Sequence, residues 1–297
     1  MIRLPRLMRI LFAPPTDTRA HSPGAIKLAH VLKIPVSELP NVKMGRVYHY
    51  RPFSISKKDG RERQILAPSP ALKELQQRLL RRHLVFLPVH PSATAFMPGA
   101  SIVRNAQRHA GQAVVATVDL ADFFTSTTAS RVRDFFVRQG WRGQALATLM
   151  RLCVYRNGLP QGAPTSPALS NLVNADLDAA LDDLAQRSGA TYTRYGDDLC
   201  FSWPTAHMPA TFRDAVQREL LAAGYQVQPR KSWRIHRAAE RPEITGLVLR
   251  RNGRIEPSKR VRVQMRKLRW LSWWRRPDPA RQTRLRGYDG FLNMLDR

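Results

Sequence analysis

Residues Thr191 to Ser202 read T-Y-T-R-Y-G-D-D-L-C-F-S, an aromatic and β-branched run interrupted by Gly-Asp-Asp and then resumed. A Gly-Asp pair between two apolar arms suits a two-residue hairpin connection. The pattern predicts core strands over Tyr192 to Tyr195 and Leu199 to Trp203, with Asp197 and Asp198 lifted to the tip of a sheet. Two adjacent carboxylates repel each other unless a cation neutralises them. Paired acidic oxygens suit a hard ion such as Mg²⁺ that substrate phosphates also hold. Standing alone, the hairpin is more simply a solvated Asp-rich turn.

It does not stand alone. Ala113 to Leu120, A-V-V-A-T-V-D-L, has the length and β-branched content of a central strand. An acid at the end of a buried strand needs a reason, and Asp119 is followed by Asp122, Phe123 and Phe124. Helices are expected over Ser130 to Gln139 and Gln144 to Val154, then a Gly and Pro loop, Asn157 to Thr165, containing Gln161 and Gly162. Ser166-Pro167 caps one long helix with an apolar stripe from Leu169 to Leu184, ended by Gly189. This order brings Asp119, Asp197 and Asp198 to one edge of an antiparallel sheet. Such a geometry suits phosphoryl transfer, in which two Mg²⁺ about 4 Å apart activate a hydroxyl and stabilise departing pyrophosphate.

The remaining elements frame this centre. Ser22-Pro23 opens a short helix, and Ser69-Pro70 opens a second one with a leucine stripe and a basic face. Between them, strands from Tyr48 to Leu66 turn at Lys-Asp-Gly and carry Lys57, Lys58, Arg61 and Arg63. Cations on such a tip can close over a triphosphate, or equally guard a sheet edge against aggregation. His109, on a short helix, reads as a structural hydrogen-bonder. Ala210 to Ala223 is an amphipathic helix, Tyr225 to Val227 and Ser232 to Ile235 are short strands, and Ile244 to Leu249 is another strand. Two basic helices, Ser258 to Trp274 and Pro279 to Leu295, follow, with Trp270, Trp273 and Trp274 interleaved among arginines. Arg with Trp on one element suits phosphate tracking and base stacking.

The 49 Lys and Arg against 22 Asp and Glu leave a net charge of +27, which points to a polyanionic partner and first to nucleic acid. No apolar run approaches the roughly 18 residues a membrane span needs. Arg3, Arg6 and Arg9 break the opening stretch as a targeting peptide, leaving a basic arm. Cys153 and Cys200 fit no metal spacing and read as buried small hydrophobes in a reducing cytoplasm. The expected division is a basic arm and helical lead-in over 1–42, a catalytic region over 43–250 and a basic helical region over 251–297.

The segments V-D-L-A-D-F-F, G-L-P-Q-G-A-P-T-S-P-A-L-S-N-L and Y-G-D-D together resemble the palm motifs of reverse transcriptases. Asn105-Ala106-Gln107-Arg108-His109 and Ile244-Thr245-Gly246 resemble the N-A-x-x-H and V-T-G motifs of the retron type. The resemblance implies an α+β right-hand polymerase fold, with fingers, a palm built on an antiparallel sheet and a small helical thumb. It also implies two Mg²⁺ ions, dNTPs, and a cognate noncoding RNA that is template and primer. Synthesis would start from a guanosine 2′-hydroxyl and give RNA-linked single-stranded DNA, in antiphage defence with a separate effector protein and no membrane.

Carried onto this sequence, the resemblance makes Asp119, Asp197 and Asp198 the metal-holding catalytic acids. Lys231 would protonate the leaving pyrophosphate, although Pro229 and Arg230 stand where an Asn commonly precedes it. Lys57 and Arg63 would hold the triphosphate, beside Asp122 and Phe123, and Phe124 would crowd a ribose 2′-OH. Gln161 and Gly162 would line the nucleotide. Asn105, His109, Lys259, Arg262, Arg266, Arg269 and Trp270 would meet RNA. Ala100 replaces an Arg that many relatives carry before the following Ser. The competing readings are another bacterial reverse transcriptase, of group II intron or abortive-infection type, and a non-catalytic RNA-binding scaffold.

Overall fold

The computed structural model describes residues 22–56, 60, 62–229, 233–274 and 278–295. Lys57, Lys231 and the basic arm before Ser22 lie outside the described residues. In chain order the helices are α1 Pro23–Leu32, α2 Pro70–Arg82, α3 Ile102–Gln107, α4 Phe123–Ser126, α5 Ala129–Arg138, α6 Gly143–Cys153, α7 Ser166–Val173, α8 Ala175–Arg187, α9 Phe212–Ala222, α10 Lys259–Trp274 and α11 Pro279–Leu295. The strands are β1 Tyr50–Ser56, β2 Glu62–Pro68, β3 Val114–Asp119, β4 Thr191–Tyr195, β5 Asp198–Trp203, β6 Arg234–Arg237, β7 Glu243–Ile244, β8 Leu247–Leu249 and β9 Ile255–Pro257. The architecture is α+β, with every strand pairing antiparallel. Spatial contacts divide the described chain into one unit from 22–90 with 122–176 and another from 91–121 with 177–295.

The first unit packs helices behind the β1–β2 hairpin. Leu28 and Leu32 of α1, Leu72 and Leu79 of α2, Phe136 of α5, Leu149 and Leu152 of α6 and Leu169 of α7 share one buried cluster. Two of the three expected caps form, because Ser22 accepts from the Ala25 amide and Ser69 from the Leu72 amide, each followed by proline at the helix start, whereas Ser166 lies inside α7 and its hydroxyl donates to the Pro160 carbonyl. Gln76 of α2 ties the cluster to the hairpin, donating to the Tyr50 hydroxyl and the Leu152 carbonyl at 2.7 Å each.

The second unit is built on a sheet of order β4-β5-β3-β6. All six residues of β3 are buried, as its unbroken apolar run predicts. The register pairs Val114 with Trp203 at one end and Asp119 with Asp198 at the other. A three-stranded sheet, β7-β8-β9, shares a smaller buried cluster with Val103, Val115 and Cys200, against which Phe291 and Leu295 of α11 pack. Both cysteines are buried, and burial pushes the Cys153 thiol up to about 12 and the Cys200 thiol well above its ordinary value.

Other expectations are also corrected, and the strand expected over Tyr225 to Val227 reduces to a single bridge between Leu120 and Val227. The helix predicted from Ser166 to Gly189 is two helices, because the Asn174 side chain donates to the Ser170 carbonyl at 2.7 Å and accepts from Arg131 at 2.8 Å. A side-chain amide that takes a backbone carbonyl competes with the helical ladder. The strand predicted from Ile244 to Leu249 is a hairpin, β7 and β8, turning at Thr245 (φ 49°) and Gly246 (φ 87°). Two successive positive φ values are the signature of a primed hairpin turn.

Under the Gly-Asp hairpin lies a buried ion pair. Arg194 of β4 and Asp178 of α8 are both fully buried and bond through two contacts, Nε to Oδ1 at 2.8 Å and Nη2 to Oδ2 at 2.6 Å. The Tyr192 hydroxyl donates to the same carboxylate at 3.0 Å. Removing one partner of such a pair strands a charge in the core, at a cost of about 3–5 kcal/mol. Asp178→Ala is therefore expected to lose about that much in urea unfolding, and a loss below about 1 kcal/mol would show that Arg194 is not held by this contact.

Candidate active site

In the second unit, β4 and β5 close around Gly196 and Asp197, with Tyr195 opposite Asp198. Gly196 takes φ 67° and Asp197 is not among the positive-φ residues, the pattern of a type II′ connection. A Cβ at Gly196 would come within 3.1 Å of the Phe96 ring, so the positive φ favours glycine and any side chain would press on that ring. The turn is fixed from two sides. Arg194 Nη1 donates to the Gly196 carbonyl at 3.3 Å, and the Leu120 amide donates to the Asp197 carbonyl at 2.9 Å.

The register makes Asp119 and Asp198 direct cross-strand partners, so both carboxylates leave the same face of the sheet. Asp119 is only 5% exposed, Asp198 is half-buried and Asp197 is exposed at the turn. Like charges directly opposite one another destabilise a strand pair. Arg234 gives Asp119 partial relief, with its guanidinium 3.8 Å from Oδ1 on a side chain that is itself 54% exposed. The donors gathered here are hard carboxylate oxygens, which suit Mg²⁺. Among the described residues, no group of three or more His, Cys, Asp or Glu forms a metal cage by itself. An ion partly held by substrate phosphates needs no such cage.

The first unit gathers the residues expected at the nucleotide. Asp122 opens α4 in the left-handed region at φ 45° and is exposed, Phe123 is buried and Phe124 half-buried. The two rings meet edge to face at 5.5 Å. The loop after α6 is bonded to this segment, as the Leu159 amide donates to the Phe124 carbonyl at 3.1 Å. A Cβ on Gly158 would fall 2.2 Å from the Thr125 carbonyl oxygen, so only glycine permits that approach. Further along, the Leu66 amide donates to the Gln161 carbonyl at 2.8 Å, and Gly162 lies so close that a Cβ would meet the Leu66 carbonyl at 2.6 Å. Phe124, Gln161, Gly162 and the strand bearing exposed Arg63 thus form one backbone-bonded assembly.

The residues expected at RNA fall into two groups. Lys259, Arg262, Arg266, Arg269 and Trp270 are exposed on α10, with Trp270 59% exposed and Arg269 ion-paired to Asp289 at 2.9 Å. Asn105 and His109, by contrast, are both buried. Asn105 accepts from the Thr94 hydroxyl, while His109 Nδ1 lies 2.7 Å from Ser202 Oγ and Nε2 2.7 Å from Thr193 Oγ1. His109 therefore clamps β4 to β5, as a structural histidine. Arg194 and Asp178 were missed by sequence reasoning. A mid-strand arginine and an aspartate beside Leu177 on an apolar helix stripe were the available signals.

The chain matches the family described as reverse transcriptase (RNA-dependent DNA polymerase) over residues 55–274. It is 36% identical to the Retron Mx162 reverse transcriptase of Myxococcus xanthus over 336 aligned positions, covering 98% of this chain and 69% of that protein. It is 35% identical to the Retron Mx65 reverse transcriptase of the same organism, covering 84% and 62%. It is 35% identical to the Retron Ec86 reverse transcriptase of Escherichia coli, covering 68% and 63%. The chain thus spans between 62% and 69% of these relatives' lengths. It belongs to the retron-type reverse transcriptases, RNA-directed DNA polymerases of the right-hand fold that work with divalent metal ions. Among the described residues, no helix is long and apolar enough to cross a membrane.

Burial and the neighbouring Arg108 charge lower the His109 pKa to about 3, so the ring is neutral in the folded chain. An unfolded histidine titrates near 6.5, so the unfolded state binds the extra proton as pH falls from about 6.5 towards 3. His109 thus contributes stability that is complete above about pH 6.5 and lost on acidification. His109→Gln is expected to show a flatter decline in urea-unfolding stability over that window, and identical slopes would contradict the assignment.

Proposed function

We propose that this chain copies part of a cognate structured noncoding RNA into RNA-linked single-stranded DNA, primed from a guanosine 2′-hydroxyl. It would work in the cytoplasm, in antiphage defence with a separate effector protein. The observation that carries the catalytic part is the opposed Asp119–Asp198 pair beside the exposed Asp197, an arrangement that costs stability and suits metal-dependent transfer. The names of the relatives support the retron part.

In this reading Asp119, Asp197 and Asp198 hold two Mg²⁺ ions, which activate the primer hydroxyl and stabilise the departing pyrophosphate. Arg63 and Lys57 hold the triphosphate as charge-assisted donors, and Lys231 gives a proton to the pyrophosphate. Gln161 and Gly162 line the nucleotide, with Asp122 and Phe123 setting the approach of α4. Phe124 excludes a ribose 2′-OH, and its half-buried ring next to the buried Phe123 supports it as the gate. The region 43–250 supplies fingers and palm behind the 1–42 lead-in. The 251–297 region is the thumb, whose Lys259, Arg262, Arg266, Arg269 and Trp270 hold RNA by shape and phosphate contacts.

Incorporation of dNTPs on a primed RNA template tests the chemistry. Asp197→Ala is expected to lower it by at least about 100-fold with RNA binding retained, and surviving activity would refute the metal-site assignment. Phe124→Ala is expected to admit ribonucleotides while Phe123→Ala loses stability first; an unchanged preference for dNTPs in the Phe124 variant would place the gate elsewhere. Sequencing of nucleic acid that copurifies with the protein tests the retron part. A discrete DNA covalently joined to RNA is expected, and heterogeneous RNA with no linked DNA would leave a reverse transcriptase of another type.

A further inference from the structure

The end of the four-stranded sheet remote from the carboxylates carries an open cleft of about 460 Å³. Its walls hold Arg241, Arg250, Arg251 and Arg254 against one acid, Glu256. The place follows from the topology. The Ala238 amide donates to the Ala113 carbonyl at 2.9 Å, just before β3 begins, and a Cβ on Gly111 would meet Gly253 at 3.8 Å. Asp119 ends the same strand, about 17 Å away for a strand of this length.

The cleft is built rather than incidental. Arg250 to Arg254 form a tight turn between β8 and β9, in which the Arg250 amide donates to the Arg254 carbonyl at 2.8 Å and the Gly253 amide to the Arg250 carbonyl at 3.0 Å. Asn252 Oδ1 accepts from the Arg254 amide at 3.1 Å. Arg241 is set in the left-handed region at φ 56°. Glu256 receives Arg250 at 2.6 Å, and its carboxyl is held low first by that bond and then by the charges of Arg250, Arg262 and Arg241. One carboxylate therefore faces three guanidiniums and is ion-paired to one of them. Among the described residues Arg241, Arg251 and Arg254 make no ion pair, and all three are exposed, with the charge of Glu256 shared among several guanidiniums.

Arginine presents a planar fork that matches phosphate oxygens bidentately. The cleft walls include no aromatic ring on which a base could stack. Arg262 of α10 lies near enough to Glu256 to extend the basic surface on to that helix. We propose that Arg241, Arg250, Arg251 and Arg254 form a second RNA-anchoring site, at the sheet end opposite the catalytic carboxylates, that grips the phosphate backbone of a structured RNA without reading bases. This rests on the reading of the chain as an enzyme that works on RNA. Contacts of this kind fix the register of a folded RNA and carry no sequence information.

The test uses the full chain and an RNA hairpin with a stem of about 16 base pairs, bound at stepped salt concentrations. Arg251→Ala with Arg254→Ala is expected to reduce the slope of log K against log salt by about 1–2 and to weaken binding about tenfold. A control pair, Arg213→Ala with Arg218→Ala, removes two exposed charges from α9 and is expected to change the slope by less than half as much. Equal changes in both pairs, or none in the first, would overturn the site. Arg251→Lys with Arg254→Lys keeps the charge and is expected to restore the slope, whereas lysines no better than alanines would overturn the electrostatic grip. A free dNTP is expected not to displace the hairpin; complete displacement would reassign the cleft to nucleotide. Wild-type incorporation of dNTPs on a primed RNA homopolymer is read alongside. No incorporation removes the underlying reading, and incorporation with unaltered slopes removes the cleft alone.

Discussion

The facing carboxylates of Asp119 and Asp198 are set opposite one another by the pairing of β3 with β5. Strand pairing sets their separation, so the repulsion between them is imposed by the register from Val114–Trp203 to Asp119–Asp198. That register is in turn fixed by packing, because β3 and β5 are buried on both faces and a slip of one residue would exchange the side chains packed on the two sides. The core thus supplies the energy that keeps two like charges in opposition. Under the proposed function, a site held in this way would be arranged for a cation before substrate arrives and would not have to reorganise at the moment of reaction.

Several contacts outside the carboxylates keep the hairpin in that register. Arg194, bonded to Asp178, reaches the Gly196 carbonyl, and His109 bridges Thr193 and Ser202 across β4 and β5. These are buried polar groups with their partners satisfied, and such networks favour one arrangement of a hairpin over its alternatives at some risk to stability if broken. In the other unit backbone does the equivalent work. Gly158 and Gly162 let carbonyls at Thr125 and Leu66 approach where any side chain would collide. The Gln-Gly loop is thereby bound to both the aromatic segment and the β1–β2 hairpin.

Much of this was legible in the sequence where the signal was local. The Gly-Asp turn, the acid-ended strand β3 and the Ser-Pro caps of α1 and α2 each depend on residues within a few positions of one another. What escaped depends on distant partners or on side chains overriding the backbone. Asn174 breaks a helix whose apolar stripe runs on unbroken, and Thr245, a β-branched residue at positive φ, turns a segment that reads as strand. The Arg194–Asp178 pair joins residues 16 apart on different elements. Asn105 and His109 stand out as a motif, yet burial makes them supports of the sheet.

The measurement closest to the facing carboxylates is thermal unfolding of the chain and of Asp198→Asn, each with chelator and with excess Mg²⁺. If Asp119 and Asp198 repel across the strand pair and a cation relieves them, the variant melts higher than wild type in chelator. Mg²⁺ then raises the wild-type melting temperature and leaves the variant nearly unmoved. A variant that melts lower in chelator, with both chains responding alike to Mg²⁺, would show that these carboxylates are neither in conflict nor the metal's ligands.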